Sequence, residues 1–138
     1  MTDHADPFSI EAIRERTAMG ALGIDLVEAS AERVVLTCDV GPKVHQPYGF
    51  LHGGVSALIA ETGASIGAGI AAGDQFRAFG IEINANHVRP VREGVITSTS
   101  TPIRQGRSIA VWDTRIETAD GKLVCASRCT IALQPIEG

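Results

Sequence analysis

Glu61 is the only acidic or basic residue, apart from two histidines, between His45 and Ile70 (HQPYGFLHGGVSALIAETGASIGAGI). A carboxylate in such an apolar segment is costly to bury unless it is paired, hydrogen-bonded or used in chemistry. Ser65 follows four residues later, so on a helix the two side chains share a face. Glu61 is therefore either a catalytic carboxylate or a buried group that other polar groups hold.

Gly53 and Gly54 follow His52 at the predicted start of a helix. Backbone N–H groups are unpaired at a helix start, the helix dipole is positive there, and glycine lets another molecule approach the backbone closely. An N–H site of this kind, with a carboxylate about two turns further along, supplies the parts that acyl transfer to water requires. The structural alternative is a simple glycine helix start.

The helix that positions these groups is predicted from Gly53 to Ala72, and Gly73 is expected to end it. One predicted helical face carries residues at i, i+3, i+4, i+7 and i+11, namely Val55, Leu58, Ile59, Thr62 and Ile66. The internal glycines each cost roughly 1 kcal/mol relative to alanine. We therefore expect a tightly surrounded helix whose backbone approaches a neighbour closely.

Most of the remaining chain alternates with the period of β-strands. We predict a short helix that starts at Asp6-Pro7 and runs to about Met19, with a break at 20–23. The predicted strands are 23–29, 34–40, 79–88, 95–103, 108–118 and 122–133, with Ser30–Glu32 and Asp120-Gly121 as hairpin turns. In 79–88, one face is expected to carry Ile81, Ile83, Ala85 and His87. One apolar helix with a large antiparallel sheet curling around it is an α+β fold.

Composition narrows the possible functions. The 138 residues suggest a single domain, with residues 1–20 as an N-terminal extension, and the net charge of −4 argues against broad nucleic-acid binding. Glu61 interrupts the one long apolar segment, so no membrane span is expected, and the N-terminus lacks the features of a signal peptide. The histidine and cysteine spacings predict no metal site. Cys38, Cys125 and Cys129 fit small core residues of a reducing cytoplasm.

Two segments, QPYGFLHGGVSALIAETGAS and GIEINANHVRP, together resemble the hotdog-fold acyl-CoA thioesterases. The resemblance covers roughly 22–133. It is closest to the branch with the 4-hydroxybenzoyl-CoA thioesterases that use a catalytic Glu, the dihydroxynaphthoyl-CoA thioesterases and the phenylacetate-pathway thioesterases. It implies a hotdog fold, in which a curved antiparallel sheet wraps one long central helix.

The resemblance also implies catalytic roles. Glu61 matches the carboxylate that acts as nucleophile or general base, and the Gly53 N–H matches the group that polarises the thioester carbonyl. Gln46 matches a glutamine beside the reacting carbonyl or water. His52 matches the histidine before the glycine pair, and Ser65 a hydroxyl that supports the water or carboxylate. The structural alternatives are a solvated Gln46, a helix-capping His52 and a Ser65 bonded to its own helix.

Substrate contacts are implied for a second set of residues. His87 matches a histidine near the acyl pocket, although a core histidine is an alternative. Arg89, Arg107 and Ser108 are candidate contacts for the anionic coenzyme A, with solvated surface groups as the alternative. Tyr48 is expected to shape the acyl pocket or the subunit interface. His4 and His45 are expected to be surface residues.

The implied function is hydrolysis of an acyl-CoA, with an aromatic or hydroxyaromatic acyl group preferred, to the free acid and CoA. No cofactor is expected, since coenzyme A belongs to the substrate. The resemblance implies a homodimer with shared sites, Gln46 and His52 from one subunit and Glu61 and Ser65 from the other, and a tetramer of two dimers. The alternatives are a hotdog hydratase or dehydratase, a non-catalytic acyl-CoA-binding module, and an acyl-carrier protein as thiol carrier.

Overall fold

The computed structural model describes residue 6 and residues 8–137. The helices are α1 (Ile10–Arg16), α2 (Ala18–Leu22) and α3 (Gly53–Ala72), with a 3-10 turn at Pro42–Val44. The strands are β1 (Ile24–Ala29), β2 (Val34–Val40), β3 (Phe76–His87), β4 (Gly94–Gln105), β5 (Ile109–Thr118) and β6 (Leu123–Pro135).

The strands form one antiparallel sheet in the order β1-β2-β4-β5-β6-β3. Helix α3 packs on one face of this sheet and contacts all six strands. The predicted α+β class is confirmed, and so are the predicted bounds of α3, with Gly73 in a positive-φ conformation at its end. Strands β1 and β3 are the two edges of the sheet within the chain.

Helix α3 packs on the sheet mainly through small residues. Of the predicted face, Ile59 is buried, and Val55, Leu58 and Ile66 are partly buried against the core. The other fully buried positions of the helix, which were not predicted, are Ser56, Ala60, Gly63, Ala64, Gly67 and Ala68. A methyl group added at Gly67 would collide with the ring of Trp112, and one added at Gly63 would lie 2.5 Å from the Ser100 hydroxyl oxygen. The expected close backbone approach is therefore present at both glycines.

Hydrogen bonds join the far end of α3 to the sheet. The indole Nε1 of the fully buried Trp112 donates to Gln105 Oε1 (2.9 Å), and Gln105 Nε2 donates to the Ala68 carbonyl (3.1 Å). Further along the sheet, the Thr114 hydroxyl lies 2.7 Å from that of Ser100. These bonds satisfy polar groups in an otherwise apolar interface, which fixes the helix against the strands.

The N-terminal helix prediction needs correction. The first helix begins at Ile10, where the Ser9 hydroxyl caps it by accepting from the Ala12 N–H (3.1 Å), rather than at Asp6-Pro7. Extended backbone at Thr17 separates α1 from α2, and Gly20 lies inside α2 instead of in a break. His4 and Pro7 lie outside the described residues, and the expected surface position of His4 stays a prediction.

Strand β3 departs from the predicted alternation. It begins at Phe76 rather than Phe79, and its pairing with β6 shifts register between Gly80 and Glu82. The shift marks a β-bulge, in which an extra residue reverses the inward and outward positions. Ile81 is consequently 60% exposed instead of facing α3, whereas Ile83 packs against the core as predicted.

The three cysteines are buried and free. Burial raises the pKa of Cys38 and Cys125, and burial together with the nearby Glu61 and Glu82 carboxylates raises the pKa of Cys129 to about 11. Residues 6 and 8–137 contain no cluster of His, Cys, Asp and Glu that could hold a metal ion. Helix α3 has the length and apolar composition of a membrane span, but here it is the core helix beneath the sheet.

Two glycine variants of α3 test how closely the helix packs on the sheet. Gly67→Ala should lower the free energy of unfolding by about 1–3 kcal/mol, because the added methyl meets the Trp112 ring. Gly69→Ala should be neutral or stabilising by up to about 1 kcal/mol, because its methyl would lie an ordinary 3.5 Å from the Ala78 methyl. Urea unfolding at one protein concentration measures both; equal effects would contradict this packing.

Candidate active site

A cleft of about 370 Å³ opens at the start of α3. The loop before α3 forms one side of it, and the end of β3 with the segment after it forms another. The residues that line it are Gln46, Phe50, Leu51, Gly53, Ser56, His87, Val88, Arg89, Pro90 and Val124. Its walls are thus largely apolar, with a few polar groups, as is common for small-molecule sites.

The N–H of Gly53 is the unpaired donor at the start of α3. The His52 carbonyl accepts from the N–H groups of Val55 (3.0 Å) and Ser56 (3.2 Å), and the His52 ring accepts from the N–H of Gly54 (2.8 Å). Among the described residues, the Gly53 N–H has no acceptor. A free donor at the positive end of the longest helix is suited to bind a carbonyl oxygen or an oxyanion.

His52 is the N-cap of α3. Because its Nδ1 accepts the Gly54 N–H, the neutral ring carries its proton on Nε2. His52 therefore caps the helix, as the structural alternative for this residue expected. Because His52 accepts the N–H groups of the residues after Gly53, only the Gly53 N–H is left for a ligand among the first N–H groups of α3.

The His87 ring lies against Gly53. A methyl group at Gly53 would stand 2.9 Å from His87 Nε2, so glycine there lets the ring approach this closely. His87 is exposed and lines the cleft, and the core-histidine alternative is wrong.

Gln46 holds the loop and keeps a donor free. Its Oε1 accepts from the N–H groups of Tyr48 (2.6 Å) and Phe50 (3.4 Å). Since a backbone N–H can only donate, the oxygen of the amide is fixed by these bonds and Nε2 is the remaining donor. Gln46 is half-buried and its amide oxygen is bonded within the loop, and its role at the site stays a prediction.

The segment after β3 anchors the same loop. Leu51 N–H donates to the Val91 carbonyl (2.7 Å), and His45 Nε2 donates to the Arg92 carbonyl (2.7 Å). The Arg92 guanidinium lies 4.4 Å from the centre of the Phe50 ring, a cation–π contact. His45 is therefore a half-buried anchor rather than a surface residue, and the contribution of Arg92 was missed because nothing local in the sequence signals it.

Glu61 lies outside this cleft. It is half-buried about 12 Å further along the axis of α3, at about 1.5 Å per residue. Within the described part of the chain, its carboxylate has neither a salt bridge nor a hydrogen bond. Glu61 is thus half-buried rather than buried, and the alternative of a carboxylate held by a partner's polar groups stays a prediction. The Glu61 carboxyl group lies on the side of Gly80 in β3, where an added methyl group would be 2.9 Å from Glu61 Cδ.

Ser65 lies one turn after Glu61 on the same side of α3, and its hydroxyl makes no hydrogen bond to a carbonyl of that helix. The helix hydroxyl that does so is that of Thr62, which donates to the Leu58 carbonyl (2.7 Å). Ser56, which is 1% exposed and lines the cleft, was not predicted, although its place three residues after Gly53 puts it on the cleft side.

The predicted coenzyme A contacts do not lie together. Arg89 lines the first cleft, whereas Arg107 and Ser108 line a second cleft of about 550 Å³ at the other end of α3. Tyr48 is 83% exposed and lines neither cleft; its backbone N–H is what contributes, by holding Gln46. The roles of these four residues stay predictions.

Comparison with known proteins identifies the family. The thioesterase superfamily model matches residues 48–125. The chain belongs to the thioesterase superfamily. It is similar to a 1,4-dihydroxy-2-naphthoyl-CoA hydrolase of Listeria monocytogenes, with 44% identity over 113 residues, 82% of this chain and 92% of the relative. It is also similar to a 1,4-dihydroxy-2-naphthoyl-CoA thioesterase of Arabidopsis thaliana, with 42% identity over 91% of this chain and 84% of the relative.

Solved structures agree with this membership. A crystal structure of a thioesterase from Haemophilus influenzae superposes with a TM-score of 0.87 and 36% identity, covering 96% of this chain and 95% of that one. The resemblance and the hotdog fold are therefore confirmed, and this superfamily member is a thioester hydrolase.

Proposed function

We propose that this thioesterase hydrolyses an aromatic or hydroxyaromatic acyl-CoA, with 1,4-dihydroxy-2-naphthoyl-CoA as the first candidate. The observation that carries the proposal is the presence, on one apolar helix, of an N–H at Gly53 and a carboxylate at Glu61 that both lack a polar partner among residues 6 and 8–137. The names of relatives at 34–44% identity support the substrate class. The apolar walls of the cleft beside Gly53 suit an aromatic ring.

The proposed chemistry follows from these two groups. The Gly53 N–H donates to the thioester carbonyl oxygen and stabilises the negative charge that develops on it. The Gln46 amide, whose Nε2 is free, is a second donor beside the same carbon. Glu61 acts as nucleophile or as general base on water. Overall, oxygen from water bonds to the carbonyl carbon, the carbon–sulfur bond breaks, and the CoA thiolate takes up a proton.

One chain alone does not bring these groups onto one carbonyl, because about 12 Å of helix separates Gly53 from Glu61. We therefore propose a dimer, in which Gln46, His52 and Gly53 of one copy face Glu61 and Ser65 of the other. Edge strand β3 supports this arrangement. Its outer edge has no partner strand among the described residues, and Phe79 (50%) and Ile81 (60%) of this strand are exposed. A second copy would cover such an edge.

The remaining parts of the proposal concern assembly, carrier and location. Two dimers are proposed to form a tetramer, with Arg89, Arg107 and Ser108 available to the anionic groups of coenzyme A. The proposed reaction requires no metal or cofactor. Three buried free thiols support a location in the reducing cytoplasm.

Release of free CoA, followed with a thiol-reactive dye, tests the reaction and its catalytic carboxylate. The substrates are dihydroxynaphthoyl-, 4-hydroxybenzoyl-, benzoyl-, phenylacetyl-, short-chain and long-chain acyl-CoA. We expect release to be fastest with an aromatic substrate and Glu61→Gln and Glu61→Ala to lose most of kcat, while both variants keep the fold and the oligomer. The buried cysteines should add little background.

The control is Glu32→Gln, which removes an exposed carboxylate in the β1–β2 turn and should leave kcat unchanged. Full activity of Glu61→Ala would remove the catalytic assignment. Equal rates with all acyl groups would refute the aromatic preference, and no release from any substrate would favour a carrier-protein thioester or a binding module.

Two substitutions of Gly53 test the N–H separately from the space that glycine leaves. Gly53→Pro removes the N–H at a helix position that tolerates proline, and His52 already has the extended backbone that proline requires of its predecessor. Gly53→Ala keeps the N–H, and both variants crowd the His87 ring. We expect kcat of Gly53→Pro to fall about 10²–10³-fold below that of Gly53→Ala. Equal kcat values would show that the N–H takes no part.

A further inference from the structure

Gly80 is a glycine that its backbone conformation does not explain. The described glycines with positive φ are Gly23, Gly49, Gly73, Gly94 and Gly121, and Gly80 is not among them. It lies inside strand β3, where glycine weakens a strand and often marks a close approach. The reason for glycine at this position is therefore space.

The Glu61 carboxyl group occupies that space. A methyl group built on Gly80 would lie 2.9 Å from Glu61 Cδ, 3.1 Å from Cγ and 3.2 Å from Oε1. The neighbour that any side chain here would displace is thus the end of Glu61. Since that carboxylate has no hydrogen bond or salt bridge within the described residues, packing against β3 is what limits where it lies.

The β-bulge directly after Gly80 also affects Glu61. Phe76, Ala78 and Gly80 alternate on the side of β3 that faces α3, and regular alternation would place Glu82 next on that side. The bulge instead leaves Glu82 exposed and returns Ile83 to the inner side. Two carboxylates close together repel each other, and the bulge keeps the Glu82 side chain from lying on the same side of the strand as that of Glu61.

We propose that Gly80, with the bulge that follows it, is a positioning residue for the reaction: it leaves the space in which the Glu61 carboxylate takes its reactive orientation. This inference rests on the proposed catalytic role of Glu61. Gly80 itself touches no reacting atom of the substrate. Its effect is therefore on the turnover step rather than on substrate binding.

Gly80→Ala tests the proposal. The atoms that the new methyl meets are the far end of a flexible side chain, so Glu61 can rotate away and the fold should be kept. We expect kcat to fall roughly 10- to 100-fold, because a misplacement of about 1 Å can cost that much, with KM changed less than about twofold. The oligomer should be unchanged in size-exclusion chromatography.

Gly69→Ala is the matched control. It adds a methyl to the same α3–β3 interface, 3.5 Å from the Ala78 methyl, and should leave kcat unchanged. A double-mutant cycle then separates positioning from architecture. In a Glu61→Ala background the carboxyl group is gone, so adding Gly80→Ala should lower neither the residual kcat nor the melting temperature.

The outcomes distinguish this inference from the proposed function. Wild-type kcat in Gly80→Ala, beside an inactive Glu61→Ala, would overturn the positioning role and leave the catalytic assignment standing. Full activity of Glu61→Ala would overturn the catalytic assignment itself. Loss of the fold or oligomer in both Gly80→Ala and the double variant would show that Gly80 serves the strand, which also overturns the inference.

Discussion

The rest of the structure depends on one constraint: α3 packs so closely on the sheet that two of its positions have no room for a side chain. At Gly63 and Gly67 a single methyl group would collide with Ser100 and with the Trp112 ring. Interiors packed this closely do not deform continuously. The rotation of the helix about its axis and its distance from the sheet are therefore fixed. These two quantities set the position of every side chain that the helix carries.

Two half-sites follow from this fixed helix. At its start, capping by His52 leaves the Gly53 N–H free beside a cleft, and backbone hydrogen bonds leave the Gln46 amide with a free donor. Further along, Glu61 lies against β3 with no polar partner within the described residues. Because the helix holds these half-sites about 12 Å apart, the proposed catalytic site requires the start of one helix and the carboxylate of another.

Much of this arrangement could be predicted from the sequence, where the signals are local. The apolar segment and Gly73 gave correct bounds for α3, and the period-two alternation gave six strands in the right order along the chain. The buried face of α3 was predicted only in part: Val55, Leu58, Ile59 and Ile66 do pack against the core, but the small residues that are fully buried on the sheet were not predicted, because large apolar residues dominate a periodicity. Hydrophobicity does not report how closely a backbone approaches its neighbour.

Features that depend on contacts between residues far apart in the chain could not be predicted from the sequence. The bulge at Gly80 shifted Ile81 outward, and a glycine within a strand was the only local sign of it. The anchoring of the Gln46 loop by the Arg92 segment joins residues far apart in the chain. The separation of Arg89 from Arg107 likewise follows from the length of α3 and the sheet order, which no motif encodes.

Subunit mixing tests the central claim of a site shared between two helices most directly. Gly53→Pro and Glu61→Ala proteins, each inactive as a homodimer, are combined and allowed to exchange subunits, which is verified with differently tagged chains. In a two-fold dimer, half of the randomly exchanged dimers are mixed and each carries one intact site, so about a quarter of wild-type activity should return. Activity that stays at the level of the parent variants after verified exchange would contradict the shared site.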